Sequence, residues 1–185
     1  MKFSVACNWD PALLEHLSHE SSSVDTLFGQ ITDDPFGGGR GSFLAPKVAR
    51  EQAKEFIADT RKRGFHFNYL LNGACQDNLE MTREGNRVLF DHIEWVASTG
   101  ADMVTITLPI MLVWIKHHFP HFKVVVSSWA RVANVKRAKY WEDIGADQIV
   151  LAEYATRDFA ALNSLRRALR CKLEVIATPS CLYMC

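Results

Sequence analysis

Cys181 and Cys185 lie at the end of the chain in the run Cys181-Leu182-Tyr183-Met184-Cys185. Thiolates at that spacing can share one metal centre, because soft sulfur ligands suit zinc or an iron–sulfur cluster. Four ligands are usual, so Cys7, Cys75, Cys171 or sequence beyond this chain would have to complete a site. A pair of inert thiols is the plain alternative. The spacing is not the C-x-x-C of a zinc ribbon or a thioredoxin-like redox site. Cys171 stands just before a strand-like run and is expected to be structural.

Other residue types point to binding rather than to bond-making. Gly37, Gly38 and Gly39 let backbone come close to a ligand, and Arg40 beside them can clamp a carboxylate or phosphate. Without more, the same run reads as a flexible loop. Asn68 and Asn72 could orient a substrate or satisfy loop backbone groups. Asn8 and Glu153 follow strand-like runs and complete the set of candidate substrate contacts with Arg40 and Asn72. Asp10 precedes Pro11 and reads as a helix cap. His117, His118 and His121 crowd a helix end, where positive charge is favourable. There is no H-E-x-x-H and no G-x-S-x-G, and Ser127 has no recognisable partner base.

The elements that must position these residues show in the glycine punctuation. Lys47–Arg63 carries apolar residues at Ala49, Ala53, Phe56 and Ile57, which is helical spacing, and Gly64 ends it. Thr82–Thr99 does the same with Leu89, Ile93, Val96 and Ala97 before Gly100. Asn134–Ile144 follows with Val135, Ala138 and Trp141 before Gly145. Gly100-Ala101-Asp102 and Gly145-Ala146-Asp147 are matching junctions, so a βα unit repeats. Strands are predicted at Phe3–Cys7, Val24–Phe28, Phe65–Leu71, Asp102–Thr107, Lys123–Ser127, Gln148–Leu151 and Lys172–Ala177. Further helices are predicted at Pro11–Leu17, Pro109–Phe119 and Asp158–Arg170.

About seven strands alternating with six helices predict a parallel α/β sheet with helices outside it. No G-x-G-x-x-G follows the first strand, which removes the main support for a dinucleotide fold. The expectation is a single domain over 1–185, an incomplete parallel (β/α) TIM-like barrel lacking its C-terminal closure. A complete barrel has eight strands and typically about 250 residues. The working face of such a barrel lies at the C-terminal ends of its strands.

With 21 basic and 21 acidic residues, nothing draws the whole chain to nucleic acid or an anionic membrane. Arg166, Arg167, Arg170 and Lys172 form a local basic patch that reads as a solvated helix end. No signal peptide and no membrane span are read, so a cytoplasmic location is expected.

The runs Asn8-Trp9-Asp10, Gly37-Gly38-Gly39-Arg40, Asn68-Tyr69-Leu70-Leu71-Asn72, Tyr140 to Asp147 and Cys181 to Cys185 together resemble the collagenase-like peptidase family, number thirty-two of the peptidase families denoted U. The similarity runs from Met1 to Cys185. It implies a barrel, and two kinds of activity. The family is named for a protease. Its better understood relatives bind a 4Fe–4S cluster through cysteines and take part in hydroxylating RNA bases or a quinone precursor. By position, the resemblance makes Cys181 a cluster ligand and Cys185 a second one, with the other ligands beyond this chain. Some quinone-pathway relatives carry a cysteine in the loop after the second strand, where this chain has Arg40. The expectations are therefore an iron–sulfur protein acting on RNA or a small aromatic molecule, a peptidase, or a non-catalytic fragment that pairs with a partner protein.

Overall fold

The computed structural model describes residues 1–37 and 47–177. Its strands and helices alternate as β1 (Phe3–Ala6), α1 (Pro11–Ser18), β2 (Val24–Gly29), α2 (Arg50–Lys62), β3 (His66–Leu71), α3 (Arg83–Ser98), β4 (Met103–Ile106), α4 (Pro109–His118), β5 (Lys123–Val126), α5 (Val135–Asp143), β6 (Gln148–Val150), α6 (Phe159–Ala168) and β7 (Lys172–Glu174). The strands are parallel and hydrogen-bond in sequential order from β1 to β7. A doubly wound sheet reverses its strand order at a switch point, and this one does not. The topology is that of an incomplete TIM-like α/β barrel, as the βα repeat predicts.

The ends of the elements differ from the expectation where caps and single turns intervene. Asp158 and Asn134 are caps rather than helical residues, accepting from the amides of Ala161 and Arg137 at 3.0 Å each. Asp10 is the cap the following proline predicts, accepting from Ala12 N at 2.9 Å. Short 3₁₀ turns at Leu79–Met81, Ser128–Ala130 and Glu153–Ala155 are additional. A single turn leaves no periodicity in the sequence to find.

The chain divides into two compact units, Met1–Val104 and Thr105–Cys185, and the division falls inside β4. In the first unit Leu14, Leu27, Ile57, Phe67, Tyr69, Leu89 and Ile93 are buried. In the second, Leu112, Ile115, Val124, Val125, Val126, Ile149 and Leu165 are buried. Near-continuous apolar strands such as Lys123-Val124-Val125-Val126 are what a parallel sheet covered by helices requires.

The repeated Gly-Ala-Asp junction acts as a strand clamp. Gly100 and Gly145 take φ of 82° and 113°, a left-handed conformation that would strain a Cβ. The buried alanine follows, and the aspartate then grips the preceding strand with backbone and side chain together. Asp102 N donates to Phe67 O at 3.0 Å, and Phe67 N donates back to Asp102 Oδ2 at 3.0 Å. Asp147 repeats this on Val124, with bonds of 3.0 Å and 2.7 Å. Cations balance both carboxylates: Arg61 lies 3.4 Å from Asp102, and Lys116 lies 2.6 Å from Asp147.

Glu142 does related work at the entry to β7. Its carboxylate accepts from Arg170 N at 2.6 Å, Cys171 N at 2.8 Å and Lys139 Nζ at 2.6 Å. The Lys139 hydrogen bond first, then the Cys171 amide, hold its pKa down at about 2. Arg166 closes the same corner by donating to Leu169 O and Cys171 O. The basic patch predicted to be a helix end is thus in part a set of carbonyl caps.

A carboxylate whose folded pKa is depressed contributes stability that is present above its ordinary value of 4.5 and is lost as pH falls toward about 2. Glu142→Gln should therefore lower the melting temperature at pH 7 by about 3–6 °C. The gap from wild type should narrow steadily between those two pH values, followed by circular dichroism melts across the acid range.

Candidate functional site at the C-terminal ends of β2 and β3

The register of β2 on β3 places Phe28 opposite Asn68 and Gly29 opposite Tyr69. That brings the loop Gln30–Phe36 and the loop Asn72–Gln76 out at the same end of the first unit, the end where parallel α/β folds bind and react. The two loops interlock. A Cβ on Gly73 would lie 2.0 Å from Phe36 O, so only glycine permits this approach. Gln76 Nε2 donates to Phe36 O at 3.0 Å and to Gly73 O at 3.3 Å. Both partners are acceptors, which fixes the orientation of the amide. Gln76 Oε1 is then a buried acceptor with no hydrogen-bond partner among the described residues, as is Gln30 Oε1.

The end of β1 joins this packing. Gly29 leaves room for the Cys7 thiol, since a Cβ there would lie 2.3 Å from Sγ. Trp9, at φ 62°, donates its indole N–H to Gln30 O at 3.2 Å and packs on Phe56 and Phe67.

At the centre is a buried carboxylate. Asp34 and His92 each expose only 1 % of their side chains. Asp34 Oδ1 accepts from Phe36 N at 2.8 Å. Its Oδ2 accepts from the Tyr69 hydroxyl at 2.8 Å and meets His92 Nε2 at 3.1 Å. Tyr69 Oη also accepts from Ile31 N at 3.3 Å. Burial first, then the charge of Asp34, push the Tyr69 phenol far above the ordinary tyrosine range. On the other side of the imidazole, Arg50 Nη2 lies 3.4 Å from Nδ1, and the guanidinium sits 4.9 Å above the Trp95 ring. Phe36, Tyr69 and Trp95 surround His92.

Of the residues singled out from sequence, Asn72 falls at this site and is buried. Asn68 is buried on β3. Asn8 is exposed after β1, where its Oδ1 accepts from Asp10 N at 3.0 Å and closes a turn. Glu153 belongs to the second unit, half-buried at the start of its 3₁₀ turn. Ser127, also in the second unit, is buried and caps the turn after β5 by accepting from Trp129 N at 3.2 Å. Arg40, Cys181 and Cys185 lie outside the described residues.

His92 is not among the residues that the sequence singles out. It is the buried one of seven histidines. Its signal was available: with Leu89, Ile93 and Val96 it lies on the apolar stripe of α3, and a polar ring on such a stripe needs a buried partner. The partner is 58 residues away in sequence, so no local pattern names Asp34.

The described thiols do not make a cluster site. Cys7 is packed against Gly29, and Cys75 is exposed beside Asp77. Cys171, expected to be structural, has its thiol pushed up to about 11 by burial and by Glu142. Among the described residues no group of three or more His, Cys, Asp or Glu side chains could hold a metal ion. Nor is any helix among them long and apolar enough to cross a membrane.

Comparison with known proteins agrees with this topology. The model of peptidase family U32 matches residues 42–183, and the chain belongs to that family. An uncharacterized protease of Methanocaldococcus jannaschii is 25 % identical over 173 residues, covering 91 % of this chain and 48 % of its own. The chain thus spans about half the length of that curated relative. The structure of the U32 peptidase Mk0906 superposes with a TM-score of 0.77 at 17 % identity, covering 95 % of this chain and 68 % of that one. A putative lyase/mutase from Burkholderia cenocepacia shares the fold at a TM-score of 0.57 and 15 % identity, covering 98 % and 70 %.

Replacing Gly73 by alanine forces Phe36 O and the Gly73 loop apart. The expected loss is about 1–3 kcal/mol of folding stability, read from urea denaturation.

Proposed function

We propose that this chain carries the substrate-holding strands of an iron–sulfur member of family U32, acting in the hydroxylation of an RNA base or a small aromatic molecule. Cys181 and Cys185 would be two of the cluster ligands, and the cluster would supply the redox chemistry. Asn8, Arg40, Asn72 and Glu153 would contact the substrate. Asn72, at the end of β3, offers an amide that can both donate and accept, which suits the edge of a heteroaromatic ring.

The observation that favours this over peptide hydrolysis is the environment of His92. A serine or cysteine peptidase needs an imidazole against its nucleophile. The buried imidazole of this chain instead has one ring nitrogen against Asp34 and the other against Arg50. The peptidase reading keeps the support of the family's name and of the M. jannaschii relative.

Anaerobic purification followed by iron, sulfide and visible-absorption analysis separates the two. The full-length protein, which would supply the remaining ligands, should be brown with about four irons per chain, and its Cys181→Ala, Cys185→Ala double variant colourless. Iron-free wild type that cleaves peptides, with cleavage abolished by Ser127→Ala or Glu153→Gln, would establish the peptidase instead.

A further inference from the structure

We propose that His92 is held as its neutral Nε2–H tautomer and that, with Arg50, it is a positioning residue that acts through Asp34 on the ends of β2 and β3. A guanidinium has five N–H donors and no acceptor. Arg50 Nη2, 3.4 Å from Nδ1, can be bonded to that nitrogen only if it carries a lone pair. The ring proton is then on Nε2, where Asp34 Oδ2 accepts it at 3.1 Å.

The rest of the array fits this polarity. The Tyr69 hydroxyl oxygen already accepts from Ile31 N, and its own proton points at Asp34. Asp34 therefore collects three donors: the Phe36 amide, the Tyr69 hydroxyl and the His92 Nε2–H. An isolated carboxylate at 1 % exposure would cost several kcal/mol, and three directed donors offset that cost. The cation that balances it, Arg50, is one imidazole away and is kept in place by the Trp95 face.

The array ties four pieces of chain to one carboxylate: the loop after β2, β3 through Tyr69, α3 through His92, and the first residue of α2. Phe36, bonded to Asp34 through its amide, is also the residue whose carbonyl holds Gln76 in the loop after β3. Asp34 thereby sets the spacing between the loop after β2 and the loop that begins at Asn72. The array serves the site whichever chemistry it carries, so its test does not depend on iron.

The test is side-chain ¹⁵N spectroscopy of the whole protein at neutral pH, with His92→Phe identifying the His92 resonances. The expected spectrum has a pyrrole-type Nε2 and a pyridine-type Nδ1. Arg50→Met should shift the Nδ1 resonance while leaving the proton on Nε2. His92→Gln offers an N–H and a carbonyl in place of the two ring nitrogens. It should retain the slowly exchanging Tyr69 hydroxyl proton and most of the melting temperature that His92→Phe loses. A proton on Nδ1, an imidazolium with two pyrrole-type nitrogens, or a Nδ1 resonance indifferent to Arg50→Met would each overturn the proposal. So would a His92→Gln variant no better than His92→Phe.

Discussion

A parallel strand cannot be set in register by a tight turn, because its neighbour in sequence returns only after a helix. Something at the strand's start must choose which residue faces which. In this protein the choice is made by Asp102 and Asp147, whose backbone and side chain both bond one residue of the preceding strand, Phe67 or Val124. A slip of one residue would break both bonds and turn the buried strand faces outward. The register chosen at the starts of the strands decides which side chains arrive at their far ends. Asp102 in this way sets β4 against β3, one flank of the strand that carries Tyr69 to the site, although none of its atoms belongs to that site.

The two ends of the strands use charge differently. At the starts, Asp102, Asp147 and Glu142 bond backbone amides and lie beside Arg61, Lys116 and Lys139, where water still screens them in part. Their contribution is to hold segments together, and the Cys171 thiol among them is kept protonated and inert. At the far ends of β2 and β3, the Asp34 carboxylate is all but removed from water. There a carboxylate persists only with donors directed at it, and Asp34 imposes geometry on its three donors as well as accepting from them. That rigidity is what a binding site needs from its supports. Nearby, Gln30 and Gln76 keep carbonyl oxygens that no group among the described residues satisfies.

Membership of family U32 fits this division. The family's fold is shared down to 17 % identity with a solved U32 peptidase, a level at which the backbone is preserved while most side chains are not. What such a fold transmits is the delivery of loops to one end of the strands. The chemistry performed there rests on individual residues, and the pair Cys181 and Cys185 with the engaged His92 gives this chain its own reading.

The sequence by itself determined the alternation of elements, and with it the fold class, because helix stripes, terminal glycines and apolar strand runs are all local signals. Leu89, Ile93 and Val96 announce α3, and Gly100-Ala101-Asp102 announces the start of β4. The same local rules identified Asp10 as a cap and marked Asn72 as a residue at a strand end. They could not pair Asp34 with Tyr69 and His92, which lie 35 and 58 residues away along the chain. Nor could they show that Gly73 exists to admit Phe36 O, or that Asn8 is occupied in closing a turn. Those relations arise only when β2 and β3 lie side by side with α3 against them. Hydrogen bonds depend on distance and direction in space, and the chain sets these only once its core has packed.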